Sequence, residues 1–179
     1  MNDEELVKEF RKGNREAFGE LVNRYSRPLT MMILRIIRDT EEAKDISQSV
    51  FLKAYEGLSG FMMASSFKTW LYRIAMNAVK DHLRRRKPAG QYQFAEEAID
   101  PAASPAERME AAMDLNRLRA AISQLPEKQR LTLQLRIYEE MDYSEIARVL
   151  GGTAGAARAN FFQAARTLRE QLGTQHETA

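Results

Sequence analysis

Phe67-Lys68-Thr69-Trp70-Leu71-Tyr72-Arg73-Ile74-Ala75-Met76-Asn77-Ala78-Val79-Lys80-Asp81-His82-Leu83-Arg84-Arg85-Arg86-Lys87 is the most regular stretch of the chain. Phe67, Trp70, Leu71, Ile74, Ala75 and Ala78 recur at steps of three and four, which puts them on one stripe of an α-helix. Arg73, Asn77, Lys80 and Arg84 recur at steps of four, three and four, so they share another face, turned to solvent. The segment ends in Arg84-Arg85-Arg86-Lys87 before Pro88. Basic side chains favour the negative end of a helix dipole, but four in a row exceed what a cap needs. A helix with one apolar stripe and one basic, amide-bearing stripe is anchored by a small core and offers its other side to an anionic partner.

Working back from this helix, Gly60 to Ser66 reads as a polar loop, and the segments before it keep a period near 3.6. A short helix is predicted from Asp3 to Arg11, ending near Gly13. Asn14 is the N-cap candidate for a longer helix carrying Phe18, Leu21, Val22, Tyr25 and Leu29. Pro28 falls inside that pattern and is expected to kink or divide it, with the apolar set resuming at Met32, Ile33, Ile36 and Ile37. Thr40 starts a further helix whose inner face is Ala43, Ile46, Val50, Phe51, Ala54 and Leu58, with Gly57 and Gly60 at its end.

Working forward, residues 88–114 are rich in Ala, Glu and Pro and poor in apolar residues, and they read as a linker that becomes helical after Pro105. Fully extended it reaches roughly 90 Å, and as a coil it spans about 30 Å. Beyond it, Leu115, Leu118, Ile122 and Leu125 form an amphipathic helix, and Pro126 opens the next, which carries Leu131, Leu135 and Tyr138. Asp142-Tyr143-Ser144-Glu145 fits a capping box, followed by Ile146, Ala147, Val149 and Leu150. Gly151-Gly152-Thr153 breaks the chain before a helix from Ala154 to about Leu172. A short helix, a glycine-containing turn and a longer helix make a helix-turn-helix. The fold class expected is therefore all-α: two small helical domains, 1–87 and 115–179, joined by a flexible linker, the second domain a helix-turn-helix.

Charge follows the same divisions. The chain of 179 residues has a net charge of +2, but residues 1–87 carry 17 basic against 12 acidic side chains. Residues 88–114 hold only Arg108 against six acidic groups, and residues 115–179 hold 9 basic and 7 acidic. This basic–acidic–basic order fits a nucleic-acid partner for the two ends. The absence of cysteine excludes disulfides, thiolate metal sites and a cysteine nucleophile. Two histidines, His82 and His176, are too few for a multi-histidine metal site, and no metal or cofactor is expected. The longest apolar run, Leu29 to Ile37, is interrupted by Arg35 and is too short to span a membrane, which needs about 20 residues. The acidic start Asn2-Asp3-Glu4-Glu5 is unlike a secretory leader, so a cytoplasmic protein without membrane insertion is expected. Paired carboxylates such as Glu41-Glu42, Glu96-Glu97 and Glu139-Glu140 have no nucleophile or histidine beside them in the sequence, and nothing supports an enzyme.

Along nearly its whole length the sequence resembles the bacterial RNA polymerase sigma factors of the compact extracytoplasmic-function subfamily. In the first domain the resemblance rests on Glu42-Ala43-Lys44-Asp45-Ile46-Ser47-Gln48-Ser49-Val50-Phe51-Leu52-Lys53-Ala54-Tyr55, on Phe67 to Asn77 and on Asp81 to Arg86; in the second it rests on Leu125-Pro126, Arg130, Leu135-Arg136 and Tyr143-Ser144-Glu145-Ile146-Ala147. It implies that the first domain binds the clamp of core polymerase and melts the downstream promoter element. The second domain reads the upstream element and meets the polymerase flap, and an anti-sigma protein covers these surfaces until induction. Polymerase binding falls to Asp45, Gln48, Phe51 and Lys53. Strand capture falls to the loop Gly60–Ser66, with Phe61, Ser65 and Ser66, and to Lys68, Tyr72, Arg73, Asn77, Lys80, Arg84 and Arg85 on the following helix. Upstream reading falls to Thr153, Arg158, Asn160, Phe162 and Gln163, where Arg suits guanine or phosphate and Asn and Gln suit adenine.

Taken by their spacing, Phe67 and Trp70 are core residues, whereas Tyr72, off that stripe, is the candidate for base stacking. Met31-Met32 and Met62-Met63 read as gap fillers or adaptable contact surface. The chain departs from the family pattern at Ala156-Ala157, where Thr-Val is usual, at Asn160 and Ala165, where basic residues are common, and at Glu140, where glycine is common. A free-standing helix-turn-helix regulator, with residues 1–87 for dimerisation or sensing, is the alternative. The clamp-binding and melting strings weigh against it, because such a regulator does not need them.

Overall fold

The computed structural model describes residues 1–85 and 105–173, with the side chains of 105–112 outside the description. The linker between them, Arg86, Lys87 and His176 lie outside the described residues. Among the described residues every regular element is helical. α1 spans Asp3–Arg11, α2 Glu16–Ile37, α3 Thr40–Gly57, and α4 Phe67–Arg85. A single 3₁₀ turn, Leu58–Gly60, follows α3. α5 spans Pro105–Gln124, α6 Glu127–Ile137, α7 Tyr143–Leu150 and α8 Ala154–Gly173.

The helix starts have local causes. Asn2 and Glu5 form a capping box at α1, with reciprocal bonds of 2.8 and 2.9 Å. Asp39 Oδ1 accepts from the Glu41 and Glu42 amides at the start of α3, both at 3.0 Å, so the cap lies one residue before Thr40. At α2, Asn14 Oδ1 accepts from the Glu16 amide at 3.1 Å. α2 is not divided: it runs through Pro28. A proline inside a helix costs ~3 kcal/mol, and Leu21, Leu29, Met32 and Ile33, all buried on either side of it, offset that cost.

α1 to α4 enclose the first core. Ala43, Ile46, Val50, Phe51, Ala54 and Leu58 are all buried, as their spacing requires. Phe10, Phe18 and Tyr55 form an aromatic cluster with centroids 5.2–5.8 Å apart, and Phe61 stacks on Trp70 at 4.8 Å. Gly57 permits this packing, since a Cβ there would stand 3.3 Å from the Trp70 indole.

The first core does not stop at α4. Leu131, Leu135, Met141, Ile146, Val149 and Ala157 of the second domain belong to the same continuous apolar cluster, and α4 packs directly on α7. A smaller cluster of Ile122, Leu125 and Ala164 holds α5 to α8. α5 begins at Pro105, so the second helical unit starts within the stretch read as linker. Tyr138, expected on the inner side of α6, is its C-cap and is exposed.

Candidate nucleic-acid interface

α4 presents the polar stripe that its spacing predicts. Arg73, Asn77, Lys80, Arg84 and Arg85 are exposed, while Phe67, Leu71 and Ala75 are buried and Trp70, Ile74 and Ala78 half-buried. Arg84 pairs with Asp81 at 3.0 Å. The opposite flank of α4 is buried as well, through Thr69, Tyr72, Met76 and Val79. This flank was not anticipated: Tyr72, the stacking candidate, has no exposed surface, and its hydroxyl donates to Glu139 Oε2 at 2.5 Å. Burial and the neighbouring carboxylate push the Tyr72 phenol well above its ordinary value.

The loop before α4 is held from both ends. Phe61 is buried against Trp70, and its carbonyl accepts from Arg11, so it forms the floor of the loop rather than an exposed wall. Met62 is 87% exposed, and Met63 adopts a left-handed backbone at φ 53°. A bulky residue there is strained, and such strain gathers at functional loops. Ser65 is half-buried; the Ser66 hydroxyl lies 2.8 Å from that of Thr69 and accepts from the Thr69 amide, capping α4.

On α3, Asp45, Gln48 and Lys53 are exposed and Phe51 is buried. Gln48 and Phe51 line an apolar groove of about 490 Å³ between α2 and α3, with Phe18, Val22, Leu52 and Tyr55. Leu52, 61% exposed at the groove edge, was missed because its spacing puts it off the buried stripe. An exposed leucine beside an apolar groove marks a surface suited to contact with another molecule.

In the second domain, α7 and α8 make the helix-turn-helix. Asp142 and Glu145 form the capping box at 2.8 and 3.0 Å, and Gly151 and Gly152, at φ 81° and 119°, supply the turn. Thr153 caps α8, its hydroxyl accepting from the Ala156 amide at 3.1 Å. Ala157 is buried where α8 packs, which accounts for its small side chain. Arg158 and Gln163 are exposed, Phe162 is 60% exposed and Asn160 half-buried. Gln129 donates to Gln163 Oε1 at 3.1 Å, and Arg158 sits 5.4 Å from the Tyr143 ring centroid.

The two units meet through polar contacts that helical spacing does not reveal. Glu139, 5% exposed, accepts from Tyr72 and pairs with Arg35 at 3.4 Å, and its carbonyl accepts from Lys68. Glu145 Oε1 accepts from Thr69 at 3.0 Å and from Ser66 at 3.4 Å. Gln134 donates to the Met32 carbonyl at 3.1 Å, and Lys80 to that of Leu150 at 3.4 Å. Isolated polar residues on α6 and α7 carry no sign of burial until the packing is known.

An apolar groove, a basic helix behind a strained loop, and a helix-turn-helix define a two-part helical protein of the DNA-associated kind. The first part matches the Sigma-70 region 2 model over residues 21–88, and the second the Sigma-70, region 4 model over residues 115–168. The RNA polymerase sigma-H factor of Pseudomonas aeruginosa is 37% identical over 95% of this chain and 93% of its own length. The ECF RNA polymerase sigma-E factor of Escherichia coli K12 is 30% identical over 96% of this chain and 95% of its own. A solved structure of CnrH in complex with the cytosolic domain of CnrY is 26% identical, with a TM-score of 0.68 over 97% of this chain and 98% of that one. The chain belongs to the sigma-70 family, as an extracytoplasmic-function sigma factor. Among the described residues no helix is long and apolar enough to cross a membrane.

Proposed function

We propose that the chain directs core RNA polymerase to a set of promoters and captures the strand that opens there. It works as a dissociable specificity subunit in the cytoplasm rather than as a catalyst. The observation that carries the reading is the exposed row Arg73, Asn77, Lys80 and Arg84 beside the strained Gly60–Ser66 loop. Strand opening requires a base to leave the stack and be held, at a few kcal/mol, and a cationic, amide-bearing helix beside a loop that offers both apolar and hydroxyl side chains suits that task. Asp45, Gln48, Phe51 and Lys53 dock the clamp, with Leu52 adding apolar contact at the groove edge. Arg158, Asn160, Phe162 and Gln163 read the upstream element, with Thr153 at the start of their helix. The acidic stretch 88–114 joins the two parts, and an anti-sigma protein is the regulating partner. The family match and the determination of CnrH with the cytosolic domain of CnrY support this reading.

Run-off transcription with purified core on randomised promoters tests it: promoter-specific transcripts are expected. Asn77→Ala together with Lys80→Ala should reduce permanganate reactivity at the promoter at least tenfold while leaving core binding intact. If the chain fails to bind core and instead binds an operator tightly as a dimer, it is a free-standing regulator.

A further inference from the structure

Gln163 is exposed on α8, yet its carboxamide is already engaged: Oε1 accepts from Gln129 Nε2 of α6 at 3.1 Å. α6 packs directly on α8, and Gln129 is half-buried between them and solvent. The other end of the Gln129 amide, Oε1, is buried and has no hydrogen-bond partner among the described residues. Burying an amide oxygen without a donor is unfavourable, so stability alone does not account for a glutamine here. What the Gln129 amide does fix is the polarity of Gln163. Arg158, by contrast, lies near the Tyr143 ring of α7, so the two side chains are set from different helices.

A glutamine free to turn reads adenine with both ends, its oxygen accepting from the N6 amine and its nitrogen donating to N7. In this chain the oxygen is drawn to α6, and the Nε2 amine is the end left to meet a ligand. Guanine presents two adjacent acceptors in the major groove, N7 and O6, and no donor. Adenine sets an amine beside N7, and cytosine presents only its N4 amine. A donating end therefore suits guanine and is opposed by the amines of the other two. In water an exposed amide–amide bond orders its side chains only weakly. Docking in a groove removes that water, and the lower local dielectric strengthens the same bond.

We infer that Gln129 is a positioning residue for promoter reading: it makes Gln163 a hydrogen-bond donor, so that this position selects guanine rather than adenine. This rests on the reading of α8 as the upstream reader. Holoenzyme reconstituted from core polymerase and the full chain tests it on promoters carrying every base at each upstream-element position. Gln163→Ala identifies the position concerned, as the one whose base preference flattens. There the intact chain should favour guanine over adenine by about tenfold. Gln129→Leu frees the carboxamide and should bring adenine level with guanine or above it. Gln129→Glu accepts from the Gln163 amine instead, turns the oxygen outward and should favour cytosine and adenine. Gln129→Lys retains a donor toward Oε1 and should keep the guanine preference. Ratios among bases are the readout, so a uniform loss from a carboxylate near DNA does not enter. Gln129→Leu should leave the urea midpoint unchanged or raise it, because it removes the unsatisfied oxygen. A lower midpoint with unchanged ratios assigns Gln129 a structural role only. Should Gln129→Leu not fold, Gln129→Glu and Gln129→Lys carry the comparison. An adenine preference in the intact chain, or an unchanged ratio in Gln129→Leu and Gln129→Glu, overturns the inference. If Gln163→Ala flattens no position while Arg158→Ala still alters upstream preference, the inference falls and the reading of α8 stands. If neither substitution alters it, that reading falls as well.

Discussion

Glu140 holds a left-handed backbone, φ 54°, and the following Met141 amide donates to the Leu135 carbonyl at 3.2 Å, six residues back. The left-handed residue lies just beyond α6, and glycine is the usual occupant of such a backbone because it has no Cβ to clash. This explains why glycine is common at this point in the family that the sequence resembles. A side chain here costs about 1 kcal/mol or more, part of which the lower unfolded-state entropy of glutamate offsets. Glu140→Gly should therefore stabilise the fold by about 0.5 kcal/mol, read as a higher urea midpoint at constant slope; a lower midpoint would show that the glutamate makes a contact worth more than its strain. Residues whose role follows from periodicity, such as Phe67 and Leu71, were legible in the sequence. Tyr72 and Glu139 were not, because each is buried by an element distant in sequence, and helical spacing carries no record of such a partner.

The helices themselves were largely legible, since each is fixed by its own stripe and cap. All six inner-face residues assigned between Ala43 and Leu58 are buried, and the Asp142–Glu145 box starts α7 as its spacing requires. Of the two outcomes expected at Pro28, division does not occur, because the local penalty of a proline is small beside the apolar surface α2 buries on both sides of it. On α8 the roles of neighbouring residues separate by geometry. Thr153 is engaged as a cap, whereas Arg158 is exposed and extends from the helix's second turn. Thr153→Ala should lower stability by about 1 kcal/mol, with Thr153→Ser restoring it. Arg158→Ala should leave stability within ~0.5 kcal/mol and weaken upstream-element recognition by about 1–3 kcal/mol if it reads a base. Thermal unfolding and competition among upstream-element variants measure these two effects. A uniform loss across all variants would assign Arg158 to a phosphate instead.

At the scale of the molecule, one apolar cluster joins the two domains, and tyrosine ionisation bears on its stability. Tyr72 is flanked by Glu139, Tyr25, Arg35 and Lys68; desolvation, then the hydrogen bond and charge of Glu139, raise its pKa, and Arg35 opposes this. Tyr25 is raised too, by burial and by Asp3. A phenol whose pKa is raised by folding stays neutral in the folded chain and ionises in the unfolded one from about pH 10. Its contribution is complete below that pH and declines above it, by about 1.4 kcal/mol per pH unit for each group. Stability should thus fall as pH rises through about 10 to 11, read as a falling urea midpoint, with Tyr72→Phe flattening the decline for the joined domains and Tyr25→Phe affecting mainly unfolding of the first domain. The separation follows from position: Tyr72 bonds across the contact to Glu139, whereas Tyr25 bonds to Asp3 within its own domain. If Tyr72→Phe leaves the alkaline unfolding curve unchanged, the Tyr72 phenol is not what alkali ionises where the two domains meet.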